Sequence, residues 1–161
     1  MHFEERLLNV KEVKDKVFAY ITHNDHLLIF SHPYALEAGI QVPAGTVEEN
    51  EHPEDAVLRE AFEETGLSNL SLDCFLGEQR RDMSDYGRNE IHRRLFYHLR
   101  YDGPFIARWR QGESDPYDGL ASDPIIFEFF WARLPHHVPP LIADQGIMLP
   151  QLLERLRIKN M

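Results

Sequence analysis

Residues 45–67 place the strongest limit on how this chain folds, because they contain a helix with clear start and stop signals. Pro53 suits the first position of that helix, and Gly66 suits its stop. At about 100° per residue, the apolar side chains between these two positions share one face, which indicates that this face is buried. The sequence therefore predicts an amphipathic helix over residues 53–65.

Three glutamates, Glu60, Glu63 and Glu64, lie on one stripe of this helix beside the buried face. Like charges at this spacing repel one another and weaken a helix. A divalent cation bound through oxygen would remove that penalty, and Mg²⁺ or Mn²⁺ suits carboxylate ligands. Arg59 precedes Glu60 and lies four residues before Glu63, so it can hold a carboxylate in place. The alternative is an acidic helix face in contact with solvent, and the three glutamates alone do not decide between the two.

The rest of the chain alternates strand-like segments with loops and ends on a second helix. The predicted strands cover residues 16–21, 26–31, 40–42, 70–76, 91–99 and 124–134, and the closing helix begins near residue 150. Residues 104–122 are rich in Gly, Asp and Pro, so we expect them to form the longest loop. The order of strands, helix, strands and helix predicts an α/β fold with a mixed sheet between helices.

Composition narrows the class of protein. The 161 residues suit one domain, and the net charge of −10 disfavours binding to long nucleic acids. The chain contains no apolar run of about 18 residues and starts without a signal-peptide pattern, so we expect a cytoplasmic protein with no membrane span. Cys74 is the single cysteine, which excludes an internal disulfide framework and a multi-cysteine metal site. A phosphate-bearing ligand would therefore need cations supplied locally by the protein or by metals.

The spacing of the charged residues in residues 45–67 is more specific than their number. With U for an apolar residue, the segment reads Gly-x5-Glu-x7-Arg-Glu-U-x-Glu-Glu-x-Gly-U. Seven fixed positions would match by chance in roughly a few per million sequences of this composition, so coincidence is a poor explanation. In this segment the chain resembles the Nudix hydrolases. It departs from the usual family pattern at Ala44, where a second glycine is common, although only the backbone carbonyl is expected to matter there.

The resemblance implies a Nudix-type α/β/α sandwich formed by residues 1–161 as a single Nudix hydrolase domain. It also implies hydrolysis of a nucleoside diphosphate linked to another moiety, X, by attack of water on phosphorus with Mg²⁺ or Mn²⁺. Glu60 and Glu64 would be the main metal ligands, and Glu63 would bind directly or through water. The Ala44 carbonyl would complete the metal's ligands.

The resemblance assigns supporting roles to two further residues of the motif and leaves the general base open. Glu51 would support the metal cluster or its water, and Arg59 would orient the carboxylates. The base is drawn in this family either from the motif or from a later loop, which makes Glu113, Asp115 and Glu128 further candidates. Glu128 lies in an aromatic strand, where a carboxylate needs a partner or a function. A solvent-facing position at the strand edge is the alternative for Glu128.

Arginines downstream of the motif are the candidates for substrate binding. Arg80, Arg81 and Arg94 could bind the phosphates or X, because the guanidinium fork suits phosphate oxygens. The alternative is that they form ion pairs with nearby acidic residues on a solvated strand and loop.

Two other functional classes fit parts of the sequence. A catalytically silent Nudix-fold module that binds a nucleotide or regulates a partner would also retain the fold, although such modules tend to lose the charged residues that remain here. An isopentenyl-diphosphate isomerase needs a cysteine upstream of the motif, and Cys74 lies downstream. The expected partner is a small nucleotide-derived diphosphate whose X the sequence leaves open. Nudix proteins are often dimers, so a homodimer is also open.

Overall fold

The computed structural model describes residues 10–113 and 125–159. Its strands and helices are β1 (Glu12–His23), β2 (His26–Ser31), β3 (Ala44–Thr46), α1 (Pro53–Thr65), β4 (Leu70–Asp82), β5 (Glu90–Tyr101), β6 (Arg108–Glu113), β7 (Ile125–Arg133) and α2 (Leu149–Leu156). The seven strands form one mixed sheet in the order β4-β5-β1-β2-β7-β6, and β3 pairs with β1.

Strand β1 organises the sheet because it pairs with three other strands. It runs parallel to β5 along nearly its whole length. On its other side it pairs antiparallel with β3 through Lys16, Val17 and Phe18, and with β2 through its last two residues. The short β3 therefore leads the chain into α1 from a position beside the first half of β1.

A helix packs on each face of this sheet. Because successive side chains of a strand point to opposite faces, Val17, Ala19 and Ile21 of β1 pack in one core with the buried residues of α1. Phe18 and Tyr20 pack in the other core with the buried residues of α2. The predicted α/β fold, with a mixed sheet between helices, is confirmed.

Helix α1 begins and ends where the sequence predicts. Pro53 occupies its first turn, and Gly66 ends it with a left-handed φ of 75°. The Gly66 N–H donates to the Phe62 carbonyl at 2.8 Å, which satisfies one of the last free carbonyls of the helix. The closing helix α2 also agrees with its predicted start near residue 150. In the described part of the chain, neither helix is long and apolar enough to cross a membrane.

Two local predictions are wrong. The strand predicted at residues 40–42 is only a pair of isolated bridges, and the strand of this region is β3, after Pro43. Part of the loop predicted at residues 104–122 is strand β6, which pairs with β7. Trp109 of β6 stacks on Phe129 with ring centroids 5.3 Å apart, so aromatic packing outweighs the loop-like composition of this segment. Residues 114–122 of the predicted loop lie outside the described residues.

Candidate active site

The guanidinium of Arg59 is the centre of the charged cluster on α1. Its Nε and Nη2 donate to the two carboxylate oxygens of Glu51 at 2.8 and 2.9 Å, which is a two-pronged contact between the helix and the loop before it. Its Nη1 donates to Glu60 at 2.9 Å and to Glu63 at 3.2 Å. Its Nη2 also donates to the Thr46 carbonyl at 3.1 Å, so Arg59 ties β3, the loop and α1 together.

The cluster holds more negative than positive charge. Four carboxylates lie 2.8–3.8 Å from the Arg59 guanidinium: Glu48, Glu51, Glu60 and Glu63. The Arg59 hydrogen bonds, followed by the backbone N–H of Glu48, lower the pKa of Glu51 to about 2. Glu51 is therefore ionised at neutral pH. One guanidinium among four carboxylates leaves an excess that a divalent cation would balance.

Gly45 lets the Glu60 carboxylate lie against the backbone of β3. A Cβ added at Gly45 would lie 1.9 Å from the carboxyl carbon of Glu60, so any side chain there would displace that carboxylate. Glu64 reaches the same strand, with its Oε2 3.5 Å from the backbone nitrogen of Ala44. Two carboxylates of α1 thus lie against β3, Glu64 at the Ala44 backbone and Glu60 at Gly45. Carboxylate and carbonyl oxygens are the donors that Mg²⁺ and Mn²⁺ prefer, so these residues fit such an ion.

A cleft of about 470 Å³ begins at Ala44 and Gly45 and extends across the sheet towards Arg94. Its walls include Lys16 from β1, Arg88 and His92 from the β4–β5 region, and the segment around Ala143. The carboxylate cluster and a cation-rich cleft therefore share the backbone of β3 as a common border.

The NUDIX domain family model matches residues 13–134, which include the whole motif and most of the sheet. The chain belongs to the Nudix hydrolase family. No curated protein matches it in sequence.

Solved structures with the Nudix fold superpose on most of the chain. A Nudix-family hydrolase from Clostridium perfringens is 20% identical, with a TM-score of 0.55 over 90% of this chain and 97% of its own. An ADP-ribose pyrophosphatase from Streptococcus suis is 21% identical, with a TM-score of 0.56 over 92% of this chain and 94% of its own. A bifunctional NMN adenylyltransferase/ADP-ribose pyrophosphatase from Francisella tularensis, complexed with AMP and a Mn ion, is 19% identical, with a TM-score of 0.53 over 96% of this chain and 46% of its own. At sequence identities of 19–21%, these superpositions show a shared fold and no more.

The three predicted substrate-binding arginines occupy different places in this Nudix fold. Arg94 is buried in the wall of the cleft. Arg81 is held by Asp85 at 2.8 Å and by Asp144 at 3.1 Å. Arg80 is exposed, and its strand register pairs it with Arg93, next to the Gln79–Arg94 pair, so Arg80 points to the opposite face from Arg94. The structure therefore brings Arg94 to the cleft and does not bring Arg80 there.

The candidates for the general base are also separated. Glu128 accepts hydrogen bonds from Arg108 at 3.0 Å and from Arg110 at 3.4 Å, on strands β6 and β7. These ion pairs account for a carboxylate in an aromatic strand. Glu113 is described only through its backbone in β6, and Asp115 lies outside the described residues. Glu63 belongs to the Arg59 cluster and is 56% exposed.

Sequence reasoning missed two parts of the cleft. Lys16 lines the cleft from β1 and donates to the Thr46 hydroxyl at 2.6 Å. The sequence signal for this role was a lysine at the start of an apolar strand. The segment from Ile142 to Gln145 borders the cleft as well, with left-handed φ values of 53° at Ala143 and 61° at Asp144. Left-handed backbone at residues other than glycine is typical of constrained functional segments and leaves no sequence pattern to read.

A second group of potential metal ligands lies elsewhere in the sheet. Ligand atoms of Asp73, Cys74 and His98 fall within 4.8 Å of one another. However, the Asp73 carboxylate already accepts hydrogen bonds from Arg155 at 2.8 and 3.1 Å and contacts the His98 ring nitrogen at 2.8 Å. Arg100 lies 3.5 Å away from the same carboxylate. Two guanidinium groups beside one carboxylate disfavour a further cation, so this group fits a metal poorly.

Proposed function

We propose that this Nudix hydrolase is a metal-dependent pyrophosphohydrolase that cleaves the diphosphate bond of a small nucleoside diphosphate linked to X. The observation that carries the proposal is the excess of carboxylates around Arg59, placed where the cationic cleft begins. Negative charge around Arg59 suits a metal ion, and positive charge along the cleft suits the diphosphate that the metal would bind. The Nudix-fold enzyme crystallised with AMP and a Mn ion supports the same class of substrate and cofactor.

The residues divide into cation holders and positioning groups. Glu60 and Glu64 would hold Mg²⁺ or Mn²⁺, assisted by Glu63 and the Ala44 carbonyl. When bound, such an ion neutralises phosphoryl oxygens and favours deprotonation of water. Arg59 would fix the direction of the Glu60 and Glu63 carboxylates, and Glu51 would anchor Arg59 through its two hydrogen bonds.

The proton of the attacking water needs an acceptor among the carboxylates. A group with a pKa of about 2 is a weak base at neutral pH, so Glu51 is better suited to anchoring than to accepting the proton. Glu63 is the candidate favoured by its place in the Arg59 cluster and its exposure to solvent. Glu128 stays a candidate, with its Arg108 and Arg110 ion pairs as the simpler explanation of its position.

The deciding experiment is nucleotide release from a substrate panel in the presence of Mg²⁺, Mn²⁺ or EDTA. The panel contains ADP-ribose, a nucleotide sugar, a dinucleoside polyphosphate, a nucleoside triphosphate and a capped RNA end. Turnover of one class with metal and none with EDTA would establish the activity and its substrate together. A folded protein that binds a nucleotide but hydrolyses nothing would instead identify a silent Nudix module.

Three further expectations belong to this proposal. Residues 1–161 act as one Nudix domain, the protein works in the cytoplasm, and it has a small-molecule substrate rather than long nucleic acid. A homodimer is the oligomer to test for, by light scattering at several protein concentrations.

A further inference from the structure

Arg94 is the most deeply buried charged residue of the cleft, with 2% of its surface exposed. Its Nη1 donates to the Ala143 carbonyl, and its Nη2 lies 3.8 Å from the Met83 sulfur. Its guanidinium carbon lies 4.9 Å from the centre of the Phe18 ring. Its Nε is buried with no hydrogen-bond partner among the described residues. The contacts that hold this guanidinium are therefore a carbonyl, a sulfur and a ring, and none of them carries a negative charge.

The acidic residues near Arg94 form ion pairs with another arginine, Arg81. Asp85 and Asp144 both form ion pairs with Arg81, at 2.8 and 3.1 Å. Burial, followed by the nearby Arg81, lowers the pKa of Arg94 to about 10, against the smaller opposing effects of Asp144 and Asp85. Arg94 is still charged at neutral pH. A buried charge whose direct contacts are all neutral is costly, and an anion in the cleft would lower that cost.

A second cation stands beside Arg94 in the sheet. Lys16 of β1 is the register partner of Arg94 on β5, and both residues line the cleft. The Lys16 ammonium donates a hydrogen bond to the neutral Thr46 hydroxyl at 2.6 Å. Arg88 also lines the cleft, whereas Glu37 is the single carboxylate among its described lining residues. The described lining residues thus carry more positive than negative charge, and Glu90, outside the lining, offsets Arg88 through an ion pair at 3.5 Å.

The position of the cleft determines which part of a substrate would meet these cations. One end is formed by Ala44 and Gly45, where Glu60 and Glu64 of α1 approach the strand. If X is the part of the substrate that extends along the cleft from a diphosphate at those carboxylates, X meets Lys16 and Arg94. A neutral sugar would leave Arg94 with neutral direct contacts only, and a phosphate would supply a charged acceptor.

We propose that X carries a phosphate group that Arg94 and Lys16 bind in this cleft, so that the enzyme prefers nucleoside polyphosphates to nucleotides with a neutral sugar as X. This inference rests on the proposed hydrolase function and adds the substrate class to it. Arg94 is then the residue that determines specificity for a charged X.

The kinetic test compares adenosine 5′-tetraphosphate with ADP-glucose, which share adenosine and differ in the charge of X. Arg94→Gln should lower kcat/KM for the tetraphosphate by about 10- to 100-fold, the range for losing charged hydrogen bonds, and should change ADP-glucose turnover by less than about threefold. Arg94→Lys should retain part of the tetraphosphate activity. Arg133→Gln is the matched control: this arginine is exposed, pairs with Asp25 at 3.3 Å and should leave both substrates unchanged.

A binding test separates this inference from the hydrolase function. Calorimetry in EDTA measures the binding of inorganic tripolyphosphate to metal-free protein, where no hydrolysis is required. Wild type and Arg133→Gln should bind, and Arg94→Gln should bind at least tenfold more weakly. Tripolyphosphate binding that depends on Arg94 in a protein without hydrolytic activity would support the phosphate site and reject the proposed function.

The opposite results overturn the inference. A folded Arg94→Gln protein that binds tripolyphosphate like wild type, or that loses both substrates equally, would show that Arg94 does not select a charged X. If Arg94→Gln does not fold, Lys16→Gln on the partly exposed strand β1 replaces it, with the same expected selective loss. Hydrolysis of ADP-glucose as fast as the tetraphosphate by wild type would also reject the inference while leaving the hydrolase function intact.

Discussion

Two groups of charged side chains each join a helix to its surroundings, and they differ in the sign of the charge left over. Around Arg59, one guanidinium meets four carboxylates and connects α1 to the loop before it. Around Asp73, one carboxylate meets Arg155 of α2, Arg100 and the ring of His98. The first group has an excess of acid and can accept a cation, whereas the second has an excess of base.

The two groups also differ in their access to solvent. Glu63 and Glu48 of the Arg59 group are 56% and 69% exposed. His98 of the Asp73 group is fully buried, and its other ring nitrogen lies 2.7 Å from the Thr22 hydroxyl. Asp73 is 12% exposed, while its partners Arg100 and Arg155 are 51% and 50% exposed, so this group shields only its carboxylate and its imidazole from solvent. The number of ion pairs therefore says less about function than the charge that they leave unbalanced.

The largest expected effect is that of Glu64→Gln on hydrolysis. Removing the charge of this proposed metal ligand should lower kcat by roughly 10²–10³-fold or more, because charge stabilisation at phosphorus is lost. The thermal midpoint should change by no more than about 2 °C, since Glu64 lies outside both apolar cores. Steady-state kinetics and a thermal scan check both parts. Substantial residual turnover by the purified variant would contradict the assignment of Glu64 as a metal ligand.

Asp73→Asn should produce the opposite pattern, with stability lost and chemistry kept. The variant leaves Arg155 and buried His98 with a poorer acceptor, so the free energy of unfolding should fall by about 2–4 kcal/mol. Turnover per folded molecule should stay the same. Urea denaturation and kinetics measure these quantities, and a loss of activity in a fully folded variant would give the Asp73 group a role in catalysis.

Lowering the pH should remove the stability that the Asp73 group contributes. Hydrogen bonds from Arg155 are the main reason why the pKa of Asp73 lies well below its ordinary value of 3.8. A lowered carboxyl pKa contributes stability above the unfolded-state pKa, and that contribution disappears as the pH falls through the folded-state pKa. The stability difference between wild type and Asp73→Asn should therefore be full above about pH 5 and should narrow below pH 4. A difference that stays constant down to pH 2 would contradict this source of stability.

A smaller and metal-dependent effect is expected for Arg59→Met. Without the guanidinium, Glu51, Glu60 and Glu63 repel one another, and the free energy of unfolding in EDTA should fall by about 1–3 kcal/mol. Added Mg²⁺ should restore part of that loss by binding the folded state. Denaturation with and without Mg²⁺ measures this, with wild type and Asp73→Asn as controls. Both keep the Arg59 cluster, so Mg²⁺ should stabilise them equally and by less than it stabilises Arg59→Met. A gain in Arg59→Met no larger than the gain in Asp73→Asn would remove the contrast between the two groups.

The smallest expected effect is that of Glu128→Gln. Because Arg108 and Arg110 already occupy this carboxylate, we expect a loss of rate well below that of Glu64→Gln. The measurement is the pH profile of kcat/KM for the variant and wild type. An unchanged rate and pH profile would remove Glu128 from the candidate bases, and a lost acidic limb would identify it as the base.

Local patterns predicted the helix of the site and its charged residues, but not the partners that lie far away along the chain. Pro53 and Gly66 act within one helical turn, so the ends of α1 were readable. The sequence indicated that Arg59 could hold a carboxylate of its own helix. Its two-pronged partner is Glu51, which lies outside the helix, and that contact depends on the path of the loop.

The arginines show a second limit. The sequence predicted Arg80, Arg81 and Arg94 alike as substrate-binding candidates. The pairing of β4 with β5 decides which of them reaches the cleft. That pairing shifts register between Leu72 and Cys74 and again between Phe75 and Gly77. Each shift moves the alternation of side chains by one residue, and the amino-acid pattern gives no clear signal for it.

The parallel pairing of β1 with β5 has a consequence for the order in which this protein is completed during synthesis. Strand β1 starts at Glu12, but its parallel partner β5 starts at Glu90. Strand β2 pairs with β7, which starts only at Ile125. At about 5–20 residues per second, the ribosome delivers β5 roughly 4–16 seconds after β1. Until then, the apolar residues of β1 have only the nearby hairpin, β3 and α1 to cover them. We therefore expect the central strand to be the segment of the nascent chain that most needs protection from aggregation.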